Sequence, residues 1–276
     1  MSISFEVLIV ILLNSLFSYK GFSDNIFFKK FHFKMEYIKN GEYYRLLTSG
    51  FLHVDKQHLL FNMVTLYFFG DFVLNIFGTF WFFCLYLICL ILGSLFCFII
   101  HNENNNFSAV GASGAVTGVL FSAILAYPDL KLALLFFPIP LPGYFFGIAY
   151  LAYTFYGINK GNDGIGHSAH LGGAIGGILL SIILKPEIAL ISFKTLILMS
   201  LVISFGVLFF NKKSEWIYLT SSNSDTLDSN SYPLRFLATI IPFSLRIKLD
   251  GMALTLYSLA IGSCQNFKFE TWFHVK

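Results

Sequence analysis

Charged residues are scarce in this sequence. Only 12% of its residues are Asp, Glu, Lys or Arg, whereas 56% are hydrophobic, and the mean hydropathy is +0.72. Soluble globular domains carry roughly 25% charged residues. A chain this apolar would expose too much hydrophobic surface to water, so the composition predicts a membrane protein and excludes an ordinary soluble enzyme.

Other features are also missing. There is no polybasic run and the net charge is only +3, which argues against a nucleic-acid partner. The four cysteines make no disulfide framework, because three of them share one apolar segment. No histidine pair has the His-Glu-x-x-His spacing, so we predict no metal site and no cofactor. The apolar N-terminus lacks a basic region and a cleavage site, which indicates a first membrane span rather than a signal peptide.

Apolar segments long enough to approach or cross a bilayer recur along the chain. The predicted spans are Ser4–Ser18, His58–Phe77, Thr79–Ile100, Ser113–Tyr127, Gly143–Gly157, Ala169–Leu184 and Leu190–Phe210. The predicted fold class is therefore an all-α polytopic membrane protein. We divide the chain into a six-helix core at 1–186, a seventh helix at 187–211 and a polar tail of unassigned role at 212–276.

Two connections carry their own signals. In the loop Tyr19–Gln57, aromatic residues alternate with basic ones, which predicts an amphipathic element in the headgroup zone. Pro138, Pro140 and Pro142 predict a structured turn before the fifth span.

Polar residues recur at the start of alternate spans. Successive spans must alternate in direction, because only complete helices satisfy the backbone in lipid. The second, fourth and sixth spans therefore run the same way. His58, Ser113 and His170 lie at or near their starts, so all three belong to one side of the membrane, within about two turns of the surface. Polar groups inside membrane helices are usually functional.

The residues around Ser113 suit a nucleophile. Gly111, Ala112 and Gly114 leave space for a substrate backbone to approach the hydroxyl. If Ser113 begins a helix, its backbone N–H has no acceptor within that helix and can face a developing oxyanion. Gly-x-Ser-Gly on its own is a weak motif, and by itself it more often has only a structural role.

The second polar element is His170, which is followed by Gly173 and Gly177. These two glycines form a small-residue face that allows very close helix packing, and Ala115 and Gly118 give the fourth span a matching face. Close packing of the two helices would bring the imidazole near Ser113, whose hydroxyl needs a base to act as a nucleophile.

The third polar element is His58 with Asn62, one helical turn apart on one face, and both side chains can donate to an oxyanion. A glycine face usually means only packing, and a histidine at a helix end can simply cap it. The order and the common depth of the three elements favour a catalytic site.

Four motifs give the sequence its family likeness. They are Gly41–His53 (GEYYRLLTSGFLH), His58–Asn62 (HLLFN), Gly111–Gly114 (GASG) and Ala169–Gly177 (AHLGGAIGG). Over about residues 1–186 the chain resembles the rhomboid family of intramembrane serine proteases. The resemblance implies a six-helix bundle with a Ser–His dyad in a water-filled cavity. It also implies membrane lipid as the surroundings and single-pass transmembrane proteins as substrates.

The resemblance also implies roles for individual residues. Ser113 would be the nucleophile and His170 the general base. His58, Asn62 and the Ser113 N–H would form the oxyanion hole. Arg45 and His53 would be structural residues of the first loop.

The chain departs from the family pattern at two positions. Leu74 stands where many members have a glutamate, and Thr117 stands where many have an aromatic residue that stacks on the histidine. The first change removes a polar contact, and the second leaves open how the His170 ring is held.

Two other functions, an inactive helix-binding protein and a transporter, fit these residues less well than a protease. An inactive member of the same fold, binding transmembrane helices, would be expected to have lost Ser113 or His170, and both are present. A transporter would show paired charges at mid-membrane or two related halves.

The seven Lys and Arg of the first long loop favour the cytoplasmic side, whereas the resemblance implies an outward-facing site in a plasma (inner) membrane. We therefore predict that the first long loop and the site face outward, as the resemblance implies.

Overall fold

The computed structural model describes residues 3–134, 137–160 and 165–221. Two compact units are distinguished, residues 1–200 and residues 201–276. Of the second unit, the structure describes residues 201–221, which belong to the last helix. Residues 222–276, most of the predicted polar tail, lie outside the described residues.

Helices dominate the described residues. The long or medium helices are α1 (Phe5–Ser23), α5 (Lys56–Ile100), α6 (Ser113–Ala126), α7 (Gly143–Lys160), α8 (His167–Leu184) and α10 (Phe193–Ser221). The short ones are α2 (Asn25–Phe31), α3 (Met35–Lys39), α4 (Arg45–Thr48) and α9 (Glu187–Ile191). The strands are β1 (Phe33–Lys34), β2 (Ser108–Ala109), β3 (Lys131–Leu134) and β4 (Phe137–Pro142). The predicted fold class, a helical polytopic membrane protein, is confirmed.

The second and third predicted spans form the two halves of α5. Gly78 interrupts this helix with φ +79°, a left-handed conformation that L side chains rarely adopt. The sequence placed the break at this residue. Among the described residues, α1, α5 and α8 are long and apolar enough to cross a membrane, and α6 and Phe193–Leu208 are apolar but shorter.

Glycine lets three helices meet at their backbones. A Cβ on Gly93, in the second half of α5, would lie 3.2 Å from the Cα of Gly114 on α6 and 2.9 Å from the Ala169 carbonyl on α8. A Cβ on Gly172 would lie 2.6 Å from the Leu92 carbonyl. The predicted pairing of the fourth and sixth spans is therefore part of a three-helix contact.

The first long loop is structured around Arg45, whose side chain is only 5% exposed. Its guanidinium donates to the Lys29 and His32 carbonyls, at 2.9 Å each, and pairs with Glu42 at 2.8 Å. It also lies over the Tyr37 ring. This network joins the end of α2 to α4.

Several details differ from the predicted elements. The proline-rich turn is the strand β4, which pairs antiparallel with β3. The strand β1 pairs with β2, joining the first long loop to the segment before Ser113. The predicted seventh span is interrupted at Ser192, whose non-helical backbone (φ −105°, ψ 25°) separates α9 from α10. The Ser192 hydroxyl donates to the Leu125 carbonyl of α6.

Candidate active site

Ser113 is the first residue of α6, as predicted. The chain reaches it through Gly111, whose φ of +132° is a conformation that favours glycine. The space where a Gly111 side chain would lie is filled by the His58 ring, whose Cε1 would be 2.6 Å from a Cβ. Glycine is therefore required at position 111 both for the turn and for the contact with His58.

His53 holds the residue that precedes the predicted nucleophile. The Ser18 hydroxyl donates to the Phe51 carbonyl at 3.0 Å, so its oxygen can accept from His53 Nδ1, which lies 2.7 Å away. His53 Nε2 is then free of hydrogen and accepts from the Ala112 N–H at 3.4 Å. This fully buried ring connects α1 to the start of α6, and burial lowers its pKa to about 3.

The start of α6 packs directly on the start of α8. The Gly114 carbonyl oxygen would lie 1.9 Å from a Cβ on Gly173, and the Gly118 carbonyl oxygen 2.3 Å from one on Gly177. Any side chain at these two positions of α8 would push the helices apart. The contact joins the turn that holds Ser113 to the turn that holds His170, and His170 is only 7% exposed.

The proposed oxyanion donors lie in the first turns of α5. Asp55 caps this helix by accepting from the His58 N–H at 2.8 Å. Asn62 is 6% exposed, and its Nδ2 donates to the His58 carbonyl at 3.0 Å. An amide nitrogen carries two hydrogens, so one donor of Asn62 remains for another acceptor. The contact between His58 and Gly111 places this helix beside the approach to Ser113.

His170 has an aromatic neighbour that no sequence motif indicates. Tyr150, on α7, has its ring centroid 5.8 Å from that of His170, with the planes tilted by 34°. Its hydroxyl is 3.1 Å from the hydroxyl of Thr117, the residue that replaces the family's usual aromatic. The tyrosine gives no local signal, because the contact is made between two helices rather than within one.

A further polar contact lies beside the site. His101, just after α5, has its Nε2 2.8 Å from the hydroxyl of Ser168 in the first turn of α8. Its ring stacks on Phe107 with centroids 3.9 Å apart. The contact ties the end of the third span to the beginning of the sixth, on the side predicted for the polar site.

Leu74 and Gly70 lie where α1 packs on α5. Gly70 lies against Val7, and Leu74 is buried. A buried polar link between these helices is made by Asn14, whose Nδ2 donates to the Tyr86 hydroxyl at 2.9 Å.

Comparison with known proteins identifies the family of this chain. The Rhomboid domain family model matches residues 40–187, which is more than half of the chain. The chain belongs to the rhomboid family.

Relatives of this rhomboid chain include both mitochondrial and bacterial proteins. It is 33% identical over 171 residues to RHOMBOID-like protein 12, mitochondrial, of Arabidopsis thaliana, covering 56% of this chain and 51% of the relative. It is 33% identical to Rhomboid protein 1, mitochondrial, of Saccharomyces cerevisiae, covering 49% and 40%. It is 33% identical to Rhomboid protease GluP of Bacillus subtilis, covering 51% and 26%. The chain thus spans about half the length, or less, of these relatives.

The comparisons bear on location as well. The membrane helices support the expectation of an integral membrane protein. The plasma membrane is not supported, because several of the curated relatives are named as mitochondrial.

Proposed function

We propose that this chain is an intramembrane serine endopeptidase with Ser113 as nucleophile and His170 as general base. The observation that carries the proposal is the backbone contact between Gly114 and Gly173, which joins the two turns holding these residues. Family membership and the similarity to a rhomboid protease support the same reaction.

The chemistry follows from the two side chains. His170 takes the proton of the Ser113 hydroxyl as the oxygen attacks the carbonyl carbon of the substrate. The protonated imidazole then gives this proton to the leaving nitrogen, the C–N bond breaks and an ester remains on Ser113. Water attacks the ester in the same manner, with His170 again acting as base and then acid, and the serine is restored.

Three donors would stabilise the oxyanion. The Ser113 N–H is available because α6 has no carbonyl four residues earlier to accept it. Asn62 has a second amide hydrogen beyond the one given to His58. The His58 ring, one helical turn before Asn62 on α5, lies against Gly111. In a site walled by apolar helices, such donors act strongly on the developing charge.

The substrates would be transmembrane segments of single-pass membrane proteins. A peptide bond within a membrane helix is protected by its backbone hydrogen bonds, and unpaired groups in lipid cost several kcal/mol. Cleavage therefore selects helices that unwind cheaply, with Gly or Pro near the cut. A small residue just before the cleaved bond would let the substrate backbone approach the Ser113 hydroxyl closely, beside Gly111 and Ala112.

The alternative is an inactive protein that binds transmembrane helices. It deserves a test because several relatives are named rhomboid-like rather than protease. The residues proposed for catalysis are all present in this chain, which favours the enzyme.

The deciding experiment is cleavage of a labelled transmembrane reporter by the purified protein in liposomes. Wild type should cut the reporter and Ser113→Ala should not. Ser122→Ala is the matched control, because Ser122 lies on the same helix and donates to the Gly177 carbonyl. A reporter whose Gly and Pro residues are replaced by leucine should be protected. Cleavage by Ser113→Ala at the wild-type rate would overturn the proposal.

For location, we propose a mitochondrial membrane, because two of the relatives are named as mitochondrial proteins. A fluorescent fusion that colocalises with a mitochondrial marker would support it. A fusion found at the cell surface would restore the plasma membrane as the site.

A further inference from the structure

Tyr150 contacts the helix of each proposed catalytic residue. Its ring faces His170 on α8 at 5.8 Å between centroids, within the range of favourable aromatic pairs. Its hydroxyl shares a hydrogen bond with Thr117, one turn after Ser113 on α6. One side chain on α7 therefore connects the helix of the nucleophile with the ring of the base.

The Tyr150 ring is itself held in place. It packs edge-on against Phe121 of α6 at 5.9 Å and lies beside Phe146 of α7 at 6.0 Å. Its helical turn is further fixed by Thr154, whose hydroxyl donates to the Tyr150 carbonyl at 2.8 Å. A ring restrained at its edge, its face and its hydroxyl can restrain the imidazole that it touches.

We propose that Tyr150 is a positioning residue that orients the His170 imidazole toward Ser113, with Thr117 as its anchor. This inference rests on the proposed function, because an imidazole has to be oriented only if it serves as a base. Small displacements of catalytic groups lower rates steeply, by about 10²-fold for 1 Å. Position 117 thus keeps a role in this chain. Thr117 provides no aromatic ring itself, but its hydroxyl fixes the Tyr150 ring, which contacts His170 instead.

The hydrogen bond can be tested by a double-mutant cycle. Tyr150→Phe keeps the ring and removes its hydroxyl, and Thr117→Val keeps the shape and removes the other hydroxyl. We expect each to lower kcat for the reporter about three- to tenfold with KM unchanged. The double variant should be no slower than the slower single variant. Effects that multiply in the double variant would show that the two residues act independently and would overturn the anchoring role.

The ring contact is tested by Tyr150→Leu, which we expect to lower kcat more than tenfold. The rate at which a small fluorophosphonate probe labels Ser113 should fall by a similar factor, because the probe needs the base but no substrate helix. Tyr156→Leu is the matched control on α7, since Tyr156 is 60% exposed, and it should label at the wild-type rate. Melting temperatures of all variants identify any that fail to fold. If Tyr150→Leu does not fold, Tyr150→Phe and Thr117→Val still test the inference, because they change the shape of the side chains very little.

The outcomes separate this inference from the proposed function. If Ser113→Ala still cleaves the reporter, the proposed function fails, whatever the Tyr150 variants do. If Ser113→Ala is inactive while folded Tyr150→Leu labels and cleaves as wild type does, only the positioning role fails. A Tyr150→Leu variant that raises KM without slowing the probe would make Tyr150 a substrate contact and would also overturn the inference.

Discussion

The Gly114 carbonyl oxygen lies so close to Gly173 that a Cβ on that glycine would be 1.9 Å from it. This is a contact between two helix backbones, so neither side can yield by a rotamer change. The proposed nucleophile and base lie on the two turns that it joins. We therefore expect the contact to affect both the stability of the core and the geometry of the proposed site.

Gly173→Ala should consequently both destabilise and inactivate the protein. Overpacking of a well-packed core typically costs about 1–3 kcal/mol. Thermal unfolding in detergent and reporter cleavage measure the two effects. Gly166→Ala is the control, because a Cβ there would meet only the Ala169 side chain at an ordinary 3.8 Å. Wild-type melting and activity for Gly173→Ala would show that the helices are not packed in this way.

The oxyanion donors and the base should differ in their effect on rate. Loss of one donor costs about 10²–10³ in a soluble serine protease, and water in the cavity can substitute in part. We expect Asn62→Ala to cleave about ten- to a hundredfold more slowly, and His170→Ala to be at or near zero. A folded Asn62→Ala as inactive as His170→Ala would give Asn62 a larger role. Activity in His170→Ala would move the base to His167.

His53 should make stability depend on pH. It lies in the loop before α5, and burial lowers its pKa from 6.5 to about 3, with the nearby His58 adding to the effect. The unfolded chain therefore binds a proton that the folded protein excludes, and stability falls as pH decreases from about 6.5 toward 3. The loss is at most about 1.4 kcal/mol per pH unit.

The variant His53→Gln isolates this contribution, because an amide can bond to Ser18 and Ala112 but does not titrate. Melting temperatures between pH 7 and pH 5 should fall less steeply for the variant than for wild type. Equal slopes would show that His53 is protonated in the folded protein or is not buried.

Arg45 should be irreplaceable by lysine. Lysine offers three donors at one point and cannot reach Glu42 and two carbonyls in different directions. Hydrogen bonds to charged groups contribute about 1.5–3 kcal/mol each, so Arg45→Lys should lower the melting temperature clearly. Glu42→Gln is the comparison and should cost less, because the carbonyl bonds to Lys29 and His32 remain. A larger loss for Glu42→Gln would make the ion pair, rather than the carbonyls, the main contribution.

Local patterns were sufficient to predict the long apolar helices, though not the short helices α2, α3, α4 and α9. The break at Gly78 and the start of α6 at Ser113 followed from apolar runs and glycine. The sixth span begins at His167 rather than at Ala169. A search for apolar runs misses the polar residues His167 and Ser168, which form the start of the first helical turn. The three prolines predict a turn, yet they lie in β4, an edge strand of a two-stranded pair, where proline is tolerated.

Contacts between distant segments could not be predicted in the same way. Three contacts join different helices and loops. They are the pairing of β1 with β2, the link from Ser18 through His53 to Ala112, and the contact of Tyr150 with His170. Each depends on three-dimensional packing, and none leaves a periodic pattern. The roles of Ser113 and His170 remain predictions, supported by family membership and by the packing around them.

The most direct measurement is the site of covalent labelling. Wild-type protein in liposomes is treated with the fluorophosphonate probe, digested and analysed by mass spectrometry. The account predicts one adduct, on Ser113, and its loss in a folded His170→Ala variant. An adduct on another serine, or reporter cleavage by a protein in which Ser113 cannot be labelled, would contradict it.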